Sequence, residues 1–152
     1  MALDPKTLLC EAKALQEELV TLRRDLHAHP ELGSCEVRTT SLIKKYLEEL
    51  GIEVRPCTET GVLGILYGGK PGKTIGLRAD IDALPIQEET GLPFASKNAG
   101  VMHACGHDLH TASLMGAAKI LSAHRDALCG NVKFFFQPDE EGNGGAERMV
   151  RA

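Results

Sequence analysis

The sequence predicts an α/β fold in which a mixed β-sheet is flanked by helices. Three observations support this prediction. Helical periodicity marks both ends of the chain and a segment near residue 110, short β-rich runs bounded by glycine and proline occupy residues 52–79, and a continuous apolar run fills residues 132–136. A length of 152 residues is typical of one domain. We therefore expect residues 1–152 to form one structural unit.

The composition is that of a globular protein, because 43% of the residues are hydrophobic and 25% are charged. The formal net charge is -4, and no segment gathers lysine and arginine into the basic stripe that nucleic-acid binding requires. Charged residues interrupt the first twenty positions, which argues against a secretory or membrane-spanning segment there. We expect a cytoplasmic protein whose partners are neither nucleic acids nor membranes.

Two helices are predicted in the amino-terminal third. Leucine and alanine recur at spacings of three and four from Leu8 to Leu26, which indicates one amphipathic helix over residues 5–28, laid on the sheet. Ser34 is a candidate N-cap for the second helix, and Gly51 is its expected C-terminal stop.

The remaining elements alternate between strands and helices. The predicted strands lie at residues 52–55, 62–67, 74–79 and 132–136. The glycine-rich segment 68–73 is typical of a hairpin loop between its two flanking strands. Residues 85–107 are predicted to be irregular, and long loops of this kind tend to carry function. Helices are expected over residues 109–124 and from near Gly145.

The five cysteines include no CxxC pair and are odd in number, which argues against a disulfide framework and fits a reducing compartment. Four of them are expected to be small hydrophobes, buried or half-buried: Cys10, Cys35, Cys57 and Cys129. The fifth, Cys105, has different neighbours.

Cys105 lies in the segment VMHACGHDLH, which holds one thiol, three imidazoles and a carboxylate ahead of a predicted helix. Cys105 and His107 can point at one centre, because Gly106 removes the side chain that would obstruct a tight turn. A thiolate with an imidazole suits zinc, cobalt, nickel or manganese better than calcium or magnesium. The alternative is a free thiol beside histidines that cap the helix.

Carboxylates follow the predicted ends of two strands. Glu140 and Glu141 come just after the apolar run. In an extended chain they point opposite ways, so one can bind a metal while the other faces the substrate as a general base. A charged turn that closes the strand is the alternative. Asp80 and Asp82 follow another strand, and a period of two places both on one side, where they can orient ligand histidines.

Three strings resemble the amino-terminal half of the M20 metallopeptidase superfamily: LRRDLHAHPELG (22–33), the segment 77–121 with its MHACGHD motif, and FFFQPDEEGNGGAERMV (134–150). They are most similar to the amidohydrolase branch, which contains hippurate hydrolases, N-acyl-amino-acid amidohydrolases and plant auxin-conjugate hydrolases. The resemblance covers nearly the whole chain. It implies that residues 1–152 are the amino-terminal portion of a zinc-peptidase-like catalytic domain.

The resemblance also implies roles for single residues. Cys105, His107 and Glu141 would be metal ligands. Glu140 would be the general base, and Asp82 would be a carboxylate that supports a ligand. The complete enzyme would hold two divalent ions, of zinc, manganese, cobalt or nickel, and would hydrolyse N-acyl amino acids as a homo-oligomer.

Related chains are more than twice as long, and they supply two further histidine ligands and a dimerisation domain that do not map onto this chain. We therefore expect a partial or empty metal site here. His27 and His29 are expected to be structural, and His110 to pack or to face the substrate.

Two other functions remain open. Cys105 could be the nucleophile of a thiol hydrolase with His107 or His103 as its base, in which case activity would survive EDTA. The chain could instead be a non-catalytic fragment or binding module, which would keep the fold without turnover.

Overall fold

The computed structural model describes residues 4–142 and 144–152. Within those ranges, helices flank one four-stranded mixed sheet, which confirms the predicted fold class. The helices are α1 (Pro5–Ala14), α2 (Gln16–Ala28), α3 (Val37–Glu49), α4 (His107–Ala123) and α5 (Gly145–Arg151). The strands are β1 (Glu53–Pro56), β2 (Val62–Tyr67), β3 (Lys70–Asp80) and β4 (Cys129–Gln137), and one turn of 3₁₀ helix spans Arg125–Ala127.

The amino-terminal helix is interrupted at Leu15, so the prediction of one continuous helix over residues 5–28 is wrong. No glycine or proline marks the break. Both α1 and α2 pack mainly on α4 rather than on the sheet, which also corrects the expected placement. Leu19 sits so close to Gly116 of α4 that a Cβ there would lie 2.8 Å from its Cδ1. The local sequence gives no sign of this break, which occurs beside the close contact between α2 and α4.

Helix α3 is capped from a distance. The carboxylate of Glu31 accepts hydrogen bonds from the amides of Arg38 and Thr39, both at 2.8 Å. Ser34 was predicted to be the N-cap, but it has a φ of 65° and its hydroxyl donates to Asp139 instead. The predicted stop at Gly51 is confirmed, since that residue has a φ of 66° just after the helix.

The sheet has the strand order β1-β2-β4-β3. β2 is antiparallel to β1 and β4, whereas β3 is parallel to β4. The hairpin predicted between β2 and β3 is therefore wrong, because β4 lies between them. β4 lies in the interior of the sheet beside β2, with Phe134 and Phe136 fully buried in the core.

Only Cys57 of the four cysteines predicted to be buried is buried. Cys10 lies on α1, in which no described residue is buried, and Cys35 lies in the turn before α3. Cys129 begins β4 at its exposed end. All five cysteines are free thiols. Within the described residues, no helix is long and apolar enough to cross a membrane.

Candidate metal centre

Two parallel strands deliver carboxylates to the same edge of the sheet. β3 ends at Asp80 and β4 ends at Gln137, and these residues are register partners. The Ile81 amide continues the pairing by donating to the Gln137 carbonyl at 3.0 Å. Asp82 and the turn 138–142 therefore meet at one edge, which is where open α/β sheets place their binding groups.

His107 is the first residue of α4, and Asp82 holds its ring. The Nδ1 atom lies 2.9 Å from Asp82 Oδ1 and 3.0 Å from the Asp82 carbonyl oxygen. Since both partners accept, Nδ1 donates and the neutral ring presents the lone pair of Nε2. The other oxygen of Asp82 accepts from the Glu141 amide at 3.0 Å. One buried carboxylate thus orients both the imidazole and the turn that carries Glu141.

Three candidate ligand atoms converge beside His107. One atom each from Cys105, His107 and Glu141 lies within 4.8 Å of the other two. Glu141 Oε1 is 3.9 Å from His107 Nε2. Because zinc bonds measure about 2.0–2.3 Å, small side-chain movements would let all three atoms contact one ion. The expected closeness of Cys105 and Glu141 is confirmed, and the thiolate, imidazole and carboxylate suit a borderline-soft divalent ion.

Neighbouring charges set the proton affinities of these groups. Burial raises the pKa of Asp82, but bonds from His107 and the Glu141 amide outweigh it and leave the pKa low. Burial lowers the pKa of His107, yet Asp82 raises it above its usual value. Bonding to Glu141 raises the pKa of the Cys105 thiol. Without a cation the thiol therefore keeps its proton, which is unfavourable for a thiol nucleophile.

Glu140 and Glu141 approach the same ring, contrary to the expectation that they face opposite ways. Glu140 Oε2 lies 4.0 Å from His107 Nε2, and Glu141 Oε1 lies 3.9 Å from it. The chain is not extended here, because Asp139 has a φ of 51° and turns the backbone sharply. Arg78 Nη2 lies 3.7 Å from Glu140 Oε1, on the side of β3.

Asp139 and Glu36 hold this turn. The Asp139 carboxylate is buried, accepts from Arg148 Nη2 at 2.7 Å, and packs where a side chain on Gly33 or Gly142 would overlap it. The Asp139 amide donates to Glu36 Oε1 at 2.8 Å. Sequence reasoning places Glu36 in the first turn of a helix, and no local signal indicates its bond to a residue more than a hundred positions away.

A second cluster is formed by Asp80, His107 and His110. Asp80 Oδ2 lies 3.5 Å from His110 Nδ1, and Arg78 Nε donates to its other oxygen at 2.8 Å. The sequence places Asp80 beside Asp82 as an orienting group, but only Asp82 hydrogen-bonds to His107, whereas Asp80 lies beside His110. Since Asp82 occupies Nδ1 of His107, the free Nε2 can serve one of the two clusters at a time.

The fold and the cluster together point to a class of metal-binding hydrolases. A solved structure from Bacillus subtilis, described as a dinuclear metal binding peptidase from the M20 family, superposes with a TM-score of 0.87 at 52% identity, covering 91% of this chain and 40% of that one. The family model for Peptidase family M20/M25/M40 matches residues 76–152. The chain belongs to this family, which confirms the resemblance found in its motifs.

Two curated relatives carry names for related reactions. N-acetyl-L-cysteine deacetylase of Bacillus subtilis (strain 168) is 52% identical over 137 residues, which are 90% of this chain and 33% of the relative. N-acyl-L-amino acid amidohydrolase of Geobacillus stearothermophilus is 50% identical over 149 residues, which are 97% of this chain and 40% of the relative. The chain thus spans well under half the length of these relatives.

Proposed function

We propose that this chain is the amino-terminal portion of the catalytic domain of an amidohydrolase that cleaves N-acyl amino acids. The observation that carries the proposal is the cluster of Cys105, His107 and Glu141, with Glu140 beside it. The names of the relatives, which describe action on N-acetyl-L-cysteine and N-acyl-L-amino acids, support this substrate class. We place the enzyme in the cytoplasm, where its free cysteines stay reduced, and expect a homo-oligomer.

In this proposal Cys105, His107 and Glu141 hold zinc, manganese, cobalt or nickel, and the complete enzyme holds two ions. A bound ion of this kind polarises the scissile carbonyl and acidifies a water molecule. Asp82 keeps the proton on Nδ1 of His107 and leaves Nε2 available. The raised pKa of Cys105 means that binding displaces a proton from the thiol.

Glu140 is the proposed general base. Its carboxylate lies beside the cluster and accepts no hydrogen bond from His107, since the closest approach to Nε2 is 4.0 Å. It takes a proton from the water that attacks the acyl carbon, and returns it to the amide nitrogen as the C–N bond breaks. The products are a carboxylic acid and a free amino acid.

The test is amino-acid release from hippurate and N-acetyl amino acids by a complete homologous enzyme with the same motifs. Activity should disappear in EDTA and return with one of the four metals. A thiol hydrolase would instead keep its activity in EDTA and lose it to iodoacetamide. Full activity in EDTA would overturn the metal proposal and favour Cys105 as the nucleophile.

A further inference from the structure

The metal ligands come from segments with very different support. His107 begins a helix of more than four turns. Cys105 is exposed and lies one residue before the end of an irregular segment, residues 85–106, that contains neither helix nor strand. A single antiparallel bridge, between Leu84 and Met102, ties the carboxyl-terminal part of this segment to the chain that follows β3. The rest of the segment is attached to α2 mainly through side chains.

We propose that His27 is a positioning residue for the metal centre, one that holds the segment carrying Cys105 against the start of α4. This inference rests on the proposed function. His27 Nδ1 lies 2.7 Å from Asp108 Oδ2, and Asp108 follows the ligand His107. His27 Nε2 lies 3.1 Å from Glu88 Oε1, and Glu88 belongs to the irregular segment. One ring therefore joins both segments to α2.

The hydrogen-bond geometry shows why a histidine is suited to this place. The carboxylates of Asp108 and Glu88 are buried, and each lies within hydrogen-bond distance of one of the two ring nitrogens. Arg23 Nε donates to the same Asp108 oxygen at 2.7 Å. Histidine is suited to this place because it offers one polar ring atom to each of two separate carboxylates, and buried polar groups need such partners.

Glu88 also accepts hydrogen bonds from residues within the irregular segment. It accepts from the Ser96 amide at 2.6 Å and from the Thr90 hydroxyl, so it closes a loop within residues 88–96. Two further bonds join the following residues to the end of α2 and the chain beyond it. The Lys97 amide donates to the Ala28 carbonyl at 2.9 Å, and Asn98 Nδ2 donates to the Pro30 carbonyl at 2.7 Å. His27 lies at the centre of this attachment.

The experiment titrates residues 1–152 with Co²⁺ and follows the thiolate-to-cobalt absorption band, which reports a bond from Cys105. His27→Gln should raise the half-saturating cobalt concentration about tenfold, the usual effect of losing a group that supports a ligand. Cys105→Ser should abolish the band. His124→Gln is the matched control: that ring is half-buried, lies at the far end of α4 and is bonded to Glu11 of α1, and cobalt binding should not change.

Hydrogen exchange of the metal-free chain is the second measurement. Amides of residues 85–106 should exchange faster in His27→Gln, while those of β4 stay protected. Glu88→Gln weakens the same contact, between His27 Nε2 and Glu88 Oε1, from the side of the irregular segment. It replaces His27→Gln if that variant does not fold. Wild-type cobalt binding or wild-type exchange in a folded variant would overturn the inference. If the wild-type chain shows no cobalt–thiolate band, exchange alone decides the role of His27, and the same titration of a complete homologous enzyme decides the proposed metal site.

Discussion

Glu140 and Glu141 are adjacent and contact the same imidazole, yet different roles are proposed for them. Glu140→Gln in a complete homologous enzyme should abolish turnover with metal content unchanged, because the amide keeps the shape but accepts no proton. Glu141→Ala should lower metal content as well, because it removes a ligand. Turnover and bound metal per protomer are the two measurements. General bases contribute roughly 10²–10⁴-fold, so a loss under about tenfold for Glu140→Gln would move the base elsewhere.

Protonation of the buried His103 makes the free energy of unfolding depend on pH. Its ring is buried with neither nitrogen hydrogen-bonded to the described residues, and burial lowers its pKa to about 4. In the unfolded chain the pKa of this histidine is near 6.5. Between pH 6.5 and pH 4 the unfolded chain therefore binds more protons than the folded one, so the free energy of unfolding falls as the pH drops through this range. The full loss is on the order of 3 kcal/mol.

His103→Gln should flatten that acid loss. Urea unfolding of the metal-free chain at pH values from about 7 to about 4 measures it, since the slope of stability against pH reports the difference in bound protons. His29→Gln, at a half-buried ring, is the control. An unchanged slope in His103→Gln would show that this ring does not titrate as its burial requires.

Helix α5 is a short element that braces the turn after β4. Gly145 begins it so close to Pro138 that a Cβ would overlap the Pro138 carbonyl oxygen. Gly145→Ala should therefore push the helix and the turn apart, at a cost of about 1–3 kcal/mol, and weaken cobalt binding through Glu141. Ala146→Gly is the control: it lies on the exposed side, and it costs only helix propensity, about 1 kcal/mol. Equal cobalt affinity in both variants would contradict this role for α5.

Sequence predicts elements better than it predicts their partners. The limits of β2 and the start of α5 are as expected, because glycines mark them locally. The place of β4 between β2 and β3 is not predicted, since pairing depends on contacts distant in sequence. The same limit applies to the site. The resemblance in the motifs indicates Cys105, His107 and Glu141 as metal ligands. The left-handed turn at Asp139 is held by a hydrogen bond to Glu36, and nothing in the sequence near either residue predicts that bond.

The molecule as a whole supplies few ligands. Two ions need several protein ligands each, and the described chain offers Cys105, His107 and Glu141 as the assigned set. Residues 1–152 alone should therefore bind zinc or manganese weakly and release no amino acid from hippurate. Calorimetric titration and a turnover assay test this. Micromolar binding of two ions with measurable turnover would contradict it, and would assign ligand roles to other residues, His110 or His103 first.

The sheet has two edge strands, β1 and β3, and each has a single neighbour within the described residues. The edge at β3 carries an exposed apolar side chain. Ile75 on this strand is 58% exposed. Unpaired edges with apolar side chains favour pairing between chains. Residues 1–152 should accordingly self-associate.

Ile75→Lys should reduce that association, because a charge on an edge strand disfavours pairing. Light scattering at several protein concentrations measures the mass, and circular dichroism checks that the fold is kept. Leu9→Lys, at a residue of α1 that is 56% exposed and lies away from this edge, is the control. A wild-type chain that stays monomeric at high concentration would show that β3 does not mediate self-association.

The parallel pairing of β3 with β4 also determines when, during folding, the proposed ligands come together. The connection between these strands contains the irregular segment and all of α4, so closing it costs entropy before any ladder bond forms, and such pairings form slowly. During synthesis Cys105 and His107 leave the ribosome well before Glu141, which reaches them only once β4 has docked. Under the proposed ligand set, a cation added to the nascent chain meets two ligands at most. Metal loading should therefore follow folding, with the folded sheet setting the geometry that the cation encounters.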